Sequence, residues 1–239
     1  MSEDNSNLIH VLNKRLKLYQ SPGGFRTSMD SVMLAAACPA KDGQSILDLG
    51  CGVGSAGLCA LHRIKGATLF GIDIQTDHIE LAKKNAALNN MSERTSFAFL
   101  DIRDLKKFDI GRFDHIICNP PYKEVGTHKH SPSSAKAQAM GHIEENISLQ
   151  NWIDCAWGQI KGQGSLTIIH EAEQCDTIIH GLFSARGGRR FGRVEIIPIY
   201  TKAKQPAKRV IIRAWKHKKT GSQIHPGILL HNTDGSYTA

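Results

Sequence analysis

The apolar run Ile46-Leu47-Asp48-Leu49 breaks into Gly50-Cys51-Gly52-Val53-Gly54, and an apolar helix-forming stretch, residues 56–64, follows at once. A buried strand that turns through glycines into a helix commits the chain to a crossover, because the helix carries it back to the edge where the strand began. The pattern then repeats. Residues 45–49, 68–72, 95–100 and 113–118 read as short apolar strands, with helices over 56–64 and 77–89 between them. Such alternation specifies an α/β fold: a doubly wound, mostly parallel Rossmann-like sheet covered by helices on both faces. In that architecture ligands gather beyond the carboxyl ends of the strands.

The glycine turn allows a ligand to approach the backbone closely, as in dinucleotide sites and in S-adenosylmethionine sites. Gly52, Gly54 and Gly57 satisfy G-x-G-x-x-G, and Asp73 ends the next strand, about 20 residues on, where a ribose-binding carboxylate is expected. Both cofactors suit that carboxylate. Further on, Asn119-Pro120-Pro121-Tyr122 follows the strand 113–118. An Asn amide oxygen and a carbonyl beside a rigid Pro-Pro step can accept hydrogen bonds from one NH2 group while an aromatic ring covers the attached base. That combination suits chemistry on a planar amino group.

The order Asp48, glycine turn, Asp73, Asp101-Ile102 and N-P-P-Y resembles the class I S-adenosylmethionine-dependent methyltransferases, in the amino-methylating branch. Only 47 residues precede Asp48 and no large insertion follows. With Phe25-Arg-Thr-Ser-Met-Asp30 ahead of the core and the end strand Arg209-Val-Ile-Ile212, the layout resembles the small bacterial valine-tRNA adenine-N6 methyltransferases that act beside the anticodon. The resemblance implies S-adenosyl-L-methionine as cofactor, with Asp48, Gly50 and Gly52 around its methionine portion and Thr27 and Asp30 near that end. It further places Asp73 at the ribose, Asp101 and Ile102 at the adenine, and Ile74 among the cofactor-binding residues. Asn119, also counted toward the cofactor, would act with Pro120, Pro121 and Tyr122 on the acceptor. Plain alternatives stand beside these roles: Thr27 or Ser28 as the cap of a helix that Asp30 favours in its first turn, and Asp101 as another cap. Two other functions fit the fold, glutamine N5-methylation of a protein such as a release factor, and a noncatalytic RNA-binding module.

Formal net charge is +8, and the segment 186–219 carries more than that excess, with Glu195 its only acid. Clustered Lys and Arg imply a phosphate-bearing partner, expected to be tRNA or another structured RNA, held through Arg189, Arg190, Lys202 and Lys204. Six scattered cysteines without C-x-x-C read as reduced structural residues. His128 and His130 lack companions for a metal site, so no metal is expected. The start lacks a signal-peptide pattern and no stretch is apolar over the length of a bilayer, so a cytoplasmic, membrane-free and monomeric protein is expected.

One methyltransferase domain is expected over 1–239: an N-terminal cap to 44, a core over 45–216 and a tail from 217. A small strand over 16–20 and a turn at 21–24 precede the first helix. The polar stretch 123–145 suits a lid or clamp, though its composition also suits plain disorder. Leu149, Trp152, Ile153, Ala156 and Ile160 share a helical face ended by Gly162 and Gly164, which makes Trp152 a core residue. A fifth strand spans 166–170, then a helix spans 171–183. Strands over 194–200 and 209–215 form a hairpin at the sheet edge, and the tail from 227 adds a ribbon.

Overall fold

The computed structural model describes residues 7–20, 27–122, 147–184 and 191–238. A hairpin of β1 (Asn7–Val11) and β2 (Leu16–Gln20) precedes α1 (Met29–Ala37). The core then runs β3 (Ser45–Leu49), α2 (Ser55–Arg63), β4 (Thr68–Asp73), α3 (Thr76–Leu88), β5 (Thr95–Phe99) and β6 (Phe113–Cys118). It continues through α4 (Leu149–Gln159), β7 (Ile160–Glu171), α5 (Cys175–Phe183), β8 (Phe191–Tyr200) and β9 (Arg209–Lys216). Two short strands follow, β10 (Gln223–Ile224) and β11 (Ile228–Leu229).

β3 to β11 form one nine-stranded sheet in the order β10-β8-β9-β7-β6-β3-β4-β5, with β11 also on β8. β7, β6, β3, β4 and β5 are mutually parallel, and β9 enters antiparallel between β7 and β8. After β3 the chain moves outward through β4 and β5, then returns to place β6 on the other side of β3. The strand order therefore reverses between β3 and β6, which opens a crevice at their carboxyl ends.

Side-chain alternation divides the core. Leu47, Leu49, Ile116 and Cys118 face one layer with Trp152, Ile153, Ile178 and Leu182 of α4 and α5. Ile46, Ile117 and Ile169 face the other with Leu34, Leu58, Leu61 and, from the hairpin, Leu16 and Leu18. Helix ends are closed by basic side chains, which satisfy orphan carbonyls and oppose the negative end of the helix dipole. Arg63 donates to Ala35 and Cys38 oxygens at the end of α1, Arg94 to Leu61 and Ile64 at the end of α2, and Lys216 to Trp157 and Ile160 at the end of α4.

Four expectations change. The fifth strand begins at Ile160, because Gly162 and Gly164 lie inside β7 and do not end the helix in a loop; a Cβ on Gly164 would come within 2.4 Å of the Asp114 carbonyl oxygen, so the neighbouring strand requires glycine there. The helix after β7 starts at Cys175, behind a short 3-10 turn over Ala172–Gln174. The β8–β9 hairpin is not the outer edge, since β10 and β11 pair in parallel along β8 and cover it. The polar start contributes β1, which its sequence did not announce; its strand pairing with β2 supplies what its composition lacks. The turn at 21–24 and the segment 123–145 lie outside the described residues.

Asn85, fully buried on α3, joins three elements. Its Oδ1 accepts from the Tyr19 amide at 2.6 Å, and its Nδ2 donates to Tyr19 and Val53 oxygens at 2.9 Å. Asn85→Ala strands all three backbone partners, and an orphaned buried group costs about 1–3 kcal/mol. A loss of at least about 1 kcal/mol in urea unfolding is therefore expected, with proteolysis of the 7–20 hairpin accelerated before global unfolding.

Candidate active site

Leu49 pairs with Cys118 across β3 and β6, so the next residues, Gly50 and Asn119, leave adjacent strands side by side at the crevice. Gly50, Gly52 and Gly54 have φ of +67°, +53° and +84°, a region in which a side chain is strained. Space separates their roles. A Cβ on Gly50 would strike the Trp152 ring at 2.7 Å, whereas one on Gly52 meets nothing within 4 Å. Trp152 thus forms a buried floor under the turn, and Gly52 presents bare backbone to open space. Gly57 is also closed, since its Cβ would meet Leu69 at 2.5 Å and Asp48 Oδ2 at 3.1 Å.

Two carboxylates hold this turn. Asp48, 2% exposed, accepts from the Gly57 amide at 3.0 Å. Burial pushes its pKa up to about 7, against the lowering effect of that bond and reinforced by the Asp73 charge. Asp73 Oδ2 accepts from the Gly52 amide and Oδ1 from the Gln75 amide, both at 2.9 Å. His78 Nδ1 lies 3.5 Å from the same carboxylate. Ile74 is half-buried beside it.

Thr27 Oγ1 meets Ser55 Oγ at 2.6 Å and its amide donates to Gln20 Oε1, which clips the segment before α1 onto the start of α2. Ser28 occupies the N-cap position without a side-chain cap bond, so neither Thr27 nor Ser28 caps α1. Asp101 does cap: it accepts from the Arg103 amide and grips the Arg103 guanidinium; burial works to raise its pKa, but these bonds to Arg103 outweigh it and hold the carboxyl below its usual range. Ile102 is buried in the core.

In the segment 119–122 Pro120 is buried and Pro121 exposed. Among the described residues the buried Asn119 Oδ1 has no hydrogen-bond partner. The Tyr122 hydroxyl donates to Asp30 at 2.6 Å. Asp30 is therefore engaged with the motif tyrosine. Burial first, then Asp30, raise the Tyr122 pKa well above that of a free phenol, so the hydroxyl remains a donor.

Part of the basic segment is engaged by the protein itself. Arg193 and Arg213 pair with buried Glu195, Arg209 with Asp30, and Lys216 with helix carbonyls. Lys202 and Lys204 are exposed on the β8–β9 loop; Arg189 and Arg190 lie outside the described residues. Trp152, Ser55, His78 and Arg209 were not singled out from sequence as parts of the site. Ser55, directly after Gly54, carried a positional signal; the other three reach the crevice only through packing. No group of three potential metal ligands occurs among the described residues, and no helix among them is long and apolar enough to cross a membrane.

The family model of the methyltransferase small domain matches residues 16–184. A tRNA1(Val) (adenine(37)-N6)-methyltransferase of Vibrio campbellii is 26% identical over 223 residues, covering 93% of this chain and 88% of the relative. Among solved structures, a predicted O-methyltransferase of Agrobacterium tumefaciens superposes with a TM-score of 0.70 at 22% identity, covering 88% of this chain and 92% of that one. A Thermus thermophilus 16S rRNA N2 G1207 methyltransferase, solved with AdoMet and guanosine, gives 0.60 at 17% identity, covering 89% and 50%.

Asp48 makes stability depend on pH. Its folded pKa of about 7 lies above the ordinary value of 3.8, so between about 4 and 7 the folded state binds more protons than the unfolded state and stability falls as pH rises. Asp48→Asn removes that penalty while an amide oxygen can still accept from Gly57. The variant should be more stable than wild type at pH 8 by at least about 1.4 kcal/mol, the worth of a tenfold change in proton affinity. Chemical denaturation at pH 8 and at pH 4 checks this, with the advantage expected to vanish at the lower pH.

Proposed function

Because the chain belongs to the methyltransferase small-domain family, we propose that this S-adenosylmethionine-dependent enzyme methylates the exocyclic N6 amine of an adenine in tRNA, with valine tRNA beside the anticodon as the favoured acceptor. One observation carries the choice of an amine: a buried Asn119 oxygen without a partner among the described residues, set beside the glycine turn at the point where strand order reverses. A buried acceptor without a donor is costly, and an NH2 group supplies what it lacks. The choice of tRNA is supported by the relative from Vibrio campbellii, similar along almost the whole chain.

The residues fit the cofactor: open space over Gly52, a carboxylate at Asp73 that retains acceptor capacity beyond its two amide bonds, and a second carboxylate at Asp48. When bound, S-adenosylmethionine supplies an electrophilic methyl group on a cationic sulfur. Asp48, Gly50 and Gly52, with Thr27, would hold its methionine portion; Asp73 and Ile74 its ribose; and Asp101 with the Ile102 backbone its adenine.

An adenine amine donates its lone pair into the ring and is a poor nucleophile. Asn119 Oδ1 accepts a hydrogen bond from one amino N–H and the Pro120 carbonyl from the other, which turns the lone pair out of conjugation. The same oxygens stabilise the positive charge that develops on nitrogen. Pro120 and Pro121 fix the backbone at this step, so the two acceptors are set in advance. Tyr122 stacks on the base. Lys202 and Lys204 would contact phosphates.

Total tRNA from a strain lacking the gene, incubated with the protein and labelled S-adenosylmethionine, should yield N6-methyladenosine by mass spectrometry of its nucleosides; label on a purified release factor and none on tRNA would move the acceptor to glutamine. Asn119→Ala should slow transfer by ~10²-fold or more, the scale for removing one oxyanion-hole-type group, with calorimetric cofactor affinity essentially unchanged. Normal turnover in that variant contradicts the role given to Asn119. Reversal of Lys202 and Lys204 to Glu should weaken RNA binding and reduce the log-log salt slope by about 0.7–0.9 for each phosphate that is no longer neutralised.

A further inference from the structure

Tyr122 is held by side chains from both ends of the chain. Its hydroxyl donates to Asp30 Oδ2 of α1 at 2.6 Å, and the Arg209 guanidinium, at the start of β9, lies over its ring with the central carbon 4.5 Å from the centroid. The same guanidinium reaches Asp30 Oδ2 at 3.3 Å and Glu171 at 3.8 Å. His170 meets the ring at a steep angle, 5.0 Å between centroids. We infer that Asp30 and Arg209 are positioning residues that clamp the Tyr122 ring for stacking on the acceptor base, an inference that rests on the methyltransferase reading above.

Tyr122 follows Cys118 by four residues, beyond the end of β6 and outside any regular element, so no backbone ladder fixes its side chain. A stacking ring contributes to the rate only if it is already oriented, since misplacement by about 1 Å can cost on the order of 10²-fold. The clamp supplies that orientation from three sides: an anchor at the hydroxyl, a cation on a face and an imidazole against the ring. Topology places all of it at the reacting end of the sheet. β9 runs antiparallel to β7, with Arg209 opposite Glu171, so the start of β9 lies beside the carboxyl ends of the parallel strands. Arg209 is thereby withdrawn from the phosphate-binding set to which its basic neighbours point, and Asp30 acts on the acceptor side and not on the cofactor.

The roles separate in a double-mutant cycle. Asp30→Ala, Tyr122→Phe and their combination, with Arg209→Met and Asp30→Asn, are assayed for kcat and KM with tRNA, for cofactor affinity by calorimetry and for folding by thermal melting. Asp30→Ala and Arg209→Met should each lower kcat/KM for tRNA about 10- to 100-fold while cofactor affinity holds. The double variant should be no worse than the worse single variant, because both remove one hydrogen bond, and Asp30→Asn, which can still accept from the phenol, should recover most of the rate. Additive losses, or an Asp30→Ala defect found in cofactor affinity, overturn the clamp. If Asp30→Ala does not fold, Tyr122→Phe decides: it removes the same bond, and a normal kcat overturns the proposal. Wild-type protein that labels no RNA sinks the methyltransferase acceptor reading and this inference together, whereas active wild type with additive variants sinks this inference alone.

Discussion

Everything at the crevice depends on the register between β3 and β6. Leu49 opposite Cys118 sets two chain segments, far apart in sequence, at the same height on neighbouring parallel strands. A slip by one residue would turn every side chain of a strand to the other face of the sheet, carrying Asp48 into the apolar layer of Trp152 and Ile153. Both strands alternate between two buried layers, so the register is specified by packing on each side. The glycine turn and the Asn-Pro-Pro-Tyr segment then diverge from adjacent strand ends, and the gap between them is the consequence of topology, not of any individual contact.

The polar groups around this gap are costly to the fold and useful to the site. Asp48 is buried almost completely and, among the described residues, has a single hydrogen bond, from Gly57; its raised pKa registers the cost. Asn119 Oδ1 has no partner among the described residues. By contrast, buried Glu195 is paired with Arg193 and Arg213, and buried Asn85 is saturated. These two scaffold residues have their polar atoms matched; at the strand-order reversal Asp48 and Asn119 are left with unused capacity, which is what the ligand-binding roles proposed for them require.

The basic residues of the last third illustrate how charge count and charge availability part company. Lys216 and Arg213 close helix ends, which uses their charge where orphan carbonyls concentrate negative potential. Lys202 and Lys204, on an exposed loop, face no such demand. Composition reports the sum of these charges and is blind to the division.

The alternation of apolar strands with helices, the glycine turn and the order of Asp48, Asp73, Asp101 and Asn119 were legible in the chain itself, because each depends on local periodicity or on residues adjacent in sequence. Those features determined the α/β class and pointed to a carboxyl-end site with an amine acceptor. What the sequence could not express was anything decided by contact across the fold. Gly162 and Gly164 read as a helix stop until the Asp114 carbonyl beside Gly164 shows them to be strand residues under steric demand. The hairpin read as an edge because the four residues of β10 and β11 are too short to carry a period. Trp152 read as core and is core, yet its place beneath Gly50 follows from the packing of α4 on the sheet. Asp30, Tyr122 and Arg209 meet only after the fold brings α1, the end of β6 and the start of β9 together at one end of the sheet; their sequence separations hold no periodic signal, and their proximity is a property of the tertiary structure alone.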